Sequence, residues 1–166
     1  MRTDELATTE GMSAFLAHHG LLDEGVHAVE RELVEAVRLR RGLHDALELN
    51  HAGARAPLAT LDDALGALSV RLHWVGDGVV ATPAEDGVAG ALARIGLAAH
   101  EARASDLWWR LKICAFDECE WAYYDHSKNR SRHWCEYGCG NKLKTRAYRA
   151  RRRAGIRPHA DEVINR

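Results

Sequence analysis

The sequence predicts an α+β protein in two parts: a mainly helical N-terminal domain with a β-hairpin or small sheet, then a four-cysteine module ending in a basic helix. Three observations predict it. Apolar residues recur at helical spacing through much of the first hundred residues, one short stretch alternates apolar and polar ahead of a Gly-Asp-Gly turn, and all four cysteines fall between Cys114 and Cys139. The module is expected to be treble-clef-like or ribbon-like, because two close cysteine pairs need a tight turn each.

Residues 9–19 read as a short helix, with Met12, Phe15 and Leu16 at helical spacing, His18 and His19 at its close and Gly20 placed to stop it. Asp23 is the expected N-cap of a long helix through Val26, Val29, Leu33, Val37, Leu43 and Leu47, continuous or broken near Gly42. Residues 51–57 read as a loop. Leu68, Val70, Leu72 and Trp74 alternate with Ser69, Arg71 and His73, the period of a half-buried strand, and Val79 to Thr82 return after Gly76-Asp77-Gly78, giving a hairpin over 67–82. Val88, Leu92, Ile95 and Ala99 predict a last helix over 86–103, and residues 107–113 look extended. No linker rich in Pro, Gly or Ser divides the halves, so the module should pack on the domain. The expected boundaries are 1–104 for the α+β domain, 105–157 for the module and 158–166 for a tail.

Of the 166 residues, 46% are apolar and 28% charged, which suits a folded chain and not a disordered one. Met1 to Thr9 lack the apolar run of a signal peptide, and no stretch nears the roughly 20 apolar residues of a membrane span, so a cytoplasmic protein with reduced thiols is expected. The net charge of −1 conceals an asymmetry. Residues 1–104 hold 9 Lys and Arg against 16 Asp and Glu, whereas 105–166 hold 14 against 8. Within 126–157, eleven cations (Lys128, Arg130, Arg132, Lys142, Lys144, Arg146, Arg149, Arg151, Arg152, Arg153, Arg157) face the single acid Glu136, which points to an anionic partner at one end.

Cys114 and Cys119 are separated by four residues, Cys135 and Cys139 by three, and the pairs by fifteen. Two close pairs and a spacer are what one tetrahedral Zn²⁺ requires, and four thiolates leave it no open position for chemistry, so the ion is expected to be structural. His126 or His133 could stand in for one thiolate. So small a module cannot bury enough apolar surface to hold itself, so metal binding should supply much of its folding energy. Trp121, Tyr123, Tyr124 and Trp134 are the expected mini-core, and Asp125 and Ser127 the expected turn and capping groups, with Asp125 accepting from the backbone or Arg132.

Trp121, Tyr124-Asp125-x-Ser127, Ser131-Arg132-x-Trp134-Cys135 and Cys139-Gly140-Asn141 are the residues on which segment 114–153 resembles the CGNR zinc finger. That finger closes a bacterial family of stress-induced transcription regulators abundant in actinobacteria. The N-terminal half resembles the companion domain in its Arg2-to-Leu6 opening, its long helix and its hairpin before a last helix. Two departures stand out: Lys142 replaces the motif's Arg, losing the planar fork, and the last cysteine pair is one residue closer than expected. The strand expected before the opening is missing, so an incomplete N-terminal sheet is expected. The resemblance implies zinc-dependent DNA binding and transcriptional control.

Cys139-Gly140-Asn141 should open the final helix, on which Lys142, Arg146, Arg149 and Arg153 share a face at steps of four, three and four, with Lys144, Arg151 and Arg152 broadening it into a basic wrap. With Lys128, Arg130 and Arg132 these are the expected nucleic-acid contacts, and Trp121, Tyr124, Asp125, Ser127, Trp134, Gly140 and Asn141 the expected frame of the site. The alternative is an RNA-associated or protein-interaction module in which zinc only holds the fold; Arg130, Arg132 and Lys142 would then merely offset the −2 formal charge of a tetrathiolate zinc. No catalytic constellation is present, and an enzyme is not expected. The acidic N-terminal domain should avoid phosphates, leaving it to sense a small-molecule effector or to form a homodimer.

Overall fold

The computed structural model describes residues 4–154. Arg2, Thr3, Arg157 and the tail 158–166 lie outside the described residues. The fold is α+β: helices build the N-terminal core, and two small antiparallel sheets flank it.

Helix α1 (Thr9–His18) is capped by the Thr8 hydroxyl, which accepts from the Gly11 amide, and Met12 and Leu16 point into the core. Helix α2 (Glu30–Ala52) begins later than the sequence predicts. Asp23 does not cap it, because the Ser13 hydroxyl accepts from the Ala28 amide at 2.9 Å and holds that segment extended along α1. The start is instead fixed by the Glu32 carboxylate, which accepts from the Val29 amide. Nor does α2 break at Gly42. Helix α3 (Ala59–Gly66) crosses there so closely that a Cβ on Gly42 would lie 2.6 Å from the Leu61 Cα. The sequence reading missed α3, although Leu58, Leu61 and Leu65 follow its turn spacing.

Strands β1 (Val70–Val75) and β2 (Gly78–Pro83) form the expected hairpin, pairing Leu72 with Ala81 and Trp74 with Val79. It is not half-buried. All of β1 and half of β2 are exposed, Trp74 at 75%, because only the base of the hairpin meets α4 (Gly87–Ala104). Val70, Leu72, Trp74, Val79, Ala81 and Pro83 make one apolar face, covered by α4 only at its Pro83 end and open around Leu72, Trp74 and Val79.

The core gathers Met12 and Leu16 from α1, Leu33, Ala36, Leu39 and Ala46 from α2, Leu61 and Ala64 from α3, and Val88, Ala91 and Leu92 from α4, and Trp108 joins it. Trp108 belongs to a single 3-10 turn, Trp108–Arg110, so the stretch read as wholly extended is so only from Leu111. This turn delivers the chain to the second sheet and to the cysteines.

Candidate metal centre

Strands β3 (Leu111–Ile113) and β4 (Ala122–Tyr124) pair antiparallel, with Ile113 opposite Ala122. Cys114 follows β3 directly, and the Cys114 amide donates to the Trp121 carbonyl at 2.9 Å, extending the hairpin by one rung. Between them the chain makes a tight turn closed by the Cys119 amide on the Phe116 carbonyl, 2.7 Å. Cys135 is brought alongside because the Ala115 amide donates to the His133 carbonyl, and Cys139 is the first residue of α5 (Cys139–Arg153). Its place on the opening turn sets a sulfur beside unsatisfied backbone amides and the positive end of the helix.

The four sulfurs lie within 4.8 Å of one another, with Cys119 to Cys135 at 3.7 Å and Cys135 to Cys139 at 3.6 Å. A tetrahedron of sulfurs about 2.3 Å from one ion has edges of about 3.8 Å, whereas a disulfide needs about 2 Å, so the spacing is that of ligands around one zinc. Cys114, Cys135 and Cys139 are buried, and the donor set is all sulfur, which favours zinc over a harder cation. His126 stacks on Tyr124 and His133 faces the His51 ring, so neither replaces a thiolate.

Cys119, Cys135 and Cys139 differ in how tightly they hold a proton. Burial pushes the Cys139 thiol up to about 12 and raises Cys135 as well. At Cys119 burial acts the same way, but hydrogen bonds from the Trp121 amide and the other sulfurs outweigh it and lower the pKa. Buried thiols that hold their protons need a cation before they can all ionise, and zinc supplies it.

Behind the sulfurs sits Asp125, fully enclosed. One carboxylate oxygen accepts from the Lys112 ammonium at 2.8 Å and the Arg132 amide at 3.0 Å; the other accepts from the Ser127 amide at 2.9 Å and its hydroxyl at 2.6 Å. Burial opposes its charge, yet Lys112 and Ser127 hold this carboxyl well below the usual range. Lys112 also donates to the Arg130 carbonyl, and Arg110 to the carbonyls of Asp125 and Ser127, so the loop between the cysteine pairs is strung on these groups. The sequence reading did not single out Lys112 or Arg110; an alternating Arg-x-Lys on a strand next to a ligand was the available signal.

The mini-core also differs from expectation. It comprises the cysteines with Phe116, Tyr123, Trp134 and Leu143. Trp121 is 40% exposed and meets Tyr137 edge-on at 5.5 Å, and Tyr124 is only partly buried. Gly140 shows why the helix opens on so small a residue, since a Cβ there would lie 3.1 Å from the Trp134 ring.

The module is tied to the domain through α2. The buried Asn50 amide donates to the carbonyls of Trp108 and Leu111, at 2.8 and 3.1 Å, and the next residue, His51, meets the His133 ring edge-on. Beside this junction a cavity of about 380 Å³ is walled mainly by Phe15, Leu39, Leu43 and Ile95, with Ile113 and Ala122 of the module closing it.

The cations expected to meet nucleic acid fall into two groups. Arg130 pairs with Asp106, Arg132 lies 3.7 Å from Glu136 and donates to the Trp134 carbonyl, and Arg146 pairs with Glu118 at 2.8 Å above the Phe116 ring. Lys128, Lys142, Lys144, Arg149 and Arg153 are exposed and have no ion pair among the described residues. His44, Asp45 and Glu48 also bring ligand atoms together, which their sequence spacing had not suggested, but Asp45 already faces Arg41 and the group stands on an open face of α2. No helix among the described residues is long and apolar enough to cross a membrane.

Two family models match the chain. Residues 110–152 match the CGNR zinc finger, and residues 1–106 match ABATE, described as "Putative stress-induced transcription regulator". No curated protein matches it. With the ABATE model spanning well over half of the 166 residues, the chain belongs to the ABATE family and carries a CGNR zinc finger toward its C-terminal end.

Proposed function

We propose that this chain is a zinc-dependent DNA-binding regulator of transcription, of the stress-responsive kind, acting in the cytoplasm and without catalytic activity of its own. One observation carries the reading: from Lys142 to Arg153, α5 bears seven Lys and Arg and no acid, all exposed, and only Arg146 has an ion pair among the described residues. A tetrathiolate zinc carries −2, which accounts for two cations at most, so neutralising the metal leaves most of these seven unexplained. Clustered, unpaired cations gain free energy by displacing counterions from phosphates.

The zinc anchors α5, Lys128 adds a cation from the loop, and the acidic N-terminal domain stays clear of the duplex. That domain is the place for a homodimer contact and, in the cavity next to Ile113, for an apolar small-molecule effector. Fluorescence anisotropy with a labelled duplex at two salt concentrations tests the reading. Affinity should fall steeply with salt, and Lys142→Glu with Arg149→Glu should abolish it. Binding that ignores salt, or survives that double variant, overturns the reading.

A further inference from the structure

The projection of α5 suggests which side chains would meet the bases. Leu143 is the last apolar side chain of the helix packed on the module's core, and beyond it only Arg146 reaches back, over Phe116 to Glu118; from Lys144 to Arg153 every residue is exposed. That free length is about 15 Å at the rise of an α-helix. With cations on two of its sides, this length offers no broad apolar face for a core to receive.

Its side chains fall into four stripes. Lys142, Arg146, Arg149 and Arg153 make one row of cations; Lys144 and Arg151 lie about half a turn away and make a second. Between the rows on one side are Leu143, Ala147 and Ala150, which offer bases no hydrogen bond. Between them on the other side are Asn141, Thr145, Tyr148 and Arg152, at steps of four, three and four, all exposed and with no hydrogen bond among the described residues. An α-helix with side chains is about 10–12 Å across and the major groove of B-DNA is about 12 Å wide, so cations on opposite flanks face the two phosphate walls while the stripe between them faces the floor.

On that placement, and resting on the DNA-binding reading above, we infer that α5 is a recognition helix that enters the major groove, where Asn141, Thr145, Tyr148 and Arg152 read base edges and the two cation rows grip the walls. Asn presents a donor and an acceptor that match adenine, Arg a fork that matches the guanine edge, and Thr a methyl and hydroxyl suited to thymine. Asn141 thus does more than frame the zinc site. The cations of the rows set affinity without sequence; the four stripe residues set preference.

The test is selection of a random duplex DNA library by the full-length, zinc-loaded protein, repeated with Asn141→Ala, Arg152→Ala and, as a wall control, Lys144→Ala with Arg153→Ala. All four positions are exposed, and zinc content with far-ultraviolet circular dichroism verifies each fold. The wild type should enrich a short motif. Each stripe variant should lose about tenfold discrimination at one or two positions of that motif while still binding random duplex. The wall variant should lose affinity for all sequences alike, and replacing purines in the motif by 7-deazapurines, which removes major-groove N7, should weaken the wild type selectively. Duplex binding with a motif indifferent to both stripe variants, or to the 7-deaza substitution, overturns the recognition helix and leaves the DNA-binding reading intact. No binding to any duplex at low salt overturns that reading, and this inference with it.

Discussion

Lys112 and Asp125 meet at 2.8 Å where water does not reach either side chain, the carboxylate wholly enclosed and the lysine 7% exposed. Removing one member of such a pair leaves the other charged in a poor solvent, which costs about 3–5 kcal/mol. Asp125→Asn should therefore destabilise the module by about that much, read from urea unfolding followed by tryptophan fluorescence. A loss below about 1 kcal/mol would show that the pair does not hold the loop.

The same carboxylate fixes an acid dependence. Its pKa is depressed by folding, so its stabilisation is complete above the unfolded value of about 4 and is lost as pH falls through that range toward the folded value. The stability gap between wild type and Asp125→Asn should be constant from pH 7 to about pH 5 and narrow below about pH 4. Comparing the two proteins cancels the acid release of zinc, which both share.

Metal removal should unfold part of the chain and spare the rest. The module's own buried cluster holds five residues, three of them cysteines, whereas the N-terminal cluster is far larger and contains none. A chelator should abolish the helical signal of α5 and the ordered environment of Trp134 while leaving the α1 to α4 signal, and Cys139→Ser should reproduce it. Uniform loss of helix across the chain would contradict this division.

Gly42→Ala is expected to destabilise in spite of alanine's advantage of about 1 kcal/mol within a helix. The added Cβ would strike the backbone of Leu61 at 2.6 Å, so α3 must move, and overpacking of this kind costs about 1–3 kcal/mol. A thermal midpoint lowered by several degrees is the expected reading; a raised midpoint would mean that α3 shifts at no cost.

Asn50→Ala should loosen the finger from the domain. It removes the side-chain donor shared by the carbonyls of Trp108 and Leu111, the first of which keeps the Leu111 amide, at about 0.5–1.5 kcal/mol per bond. Hydrogen exchange should quicken in β3 while α1 stays protected. Equal quickening in both would place the effect in the core as a whole.

How much of this was legible follows from the kind of signal each part carries. The zinc site was readable because four identical donors at close spacing have few other uses, and the final helix because a run of cations after Gly140-Asn141 keeps one period. Asp125 was legible as a turn residue, but its partner Lys112 lies thirteen residues away on another strand, and only register brings them together. The start of α2 was misplaced because Ser13, ten residues before Asp23, competes for the intervening backbone. The hairpin was recognised by its alternation, yet alternation names two faces without saying that either is covered; here α4 covers only the base. Arg130, Arg132 and Arg146 looked equivalent to the other cations until their acids appeared beside them.

The open ribbon of β1 and β2 has a practical corollary. Since Leu72 and Trp74 support nothing beneath them, their fluorescence and chemistry belong to the solvent: Trp74 should be the indole that a soluble quencher reaches first. Replacing both by lysine should leave the heat resistance of the molecule as it was while making concentrated solutions less sticky.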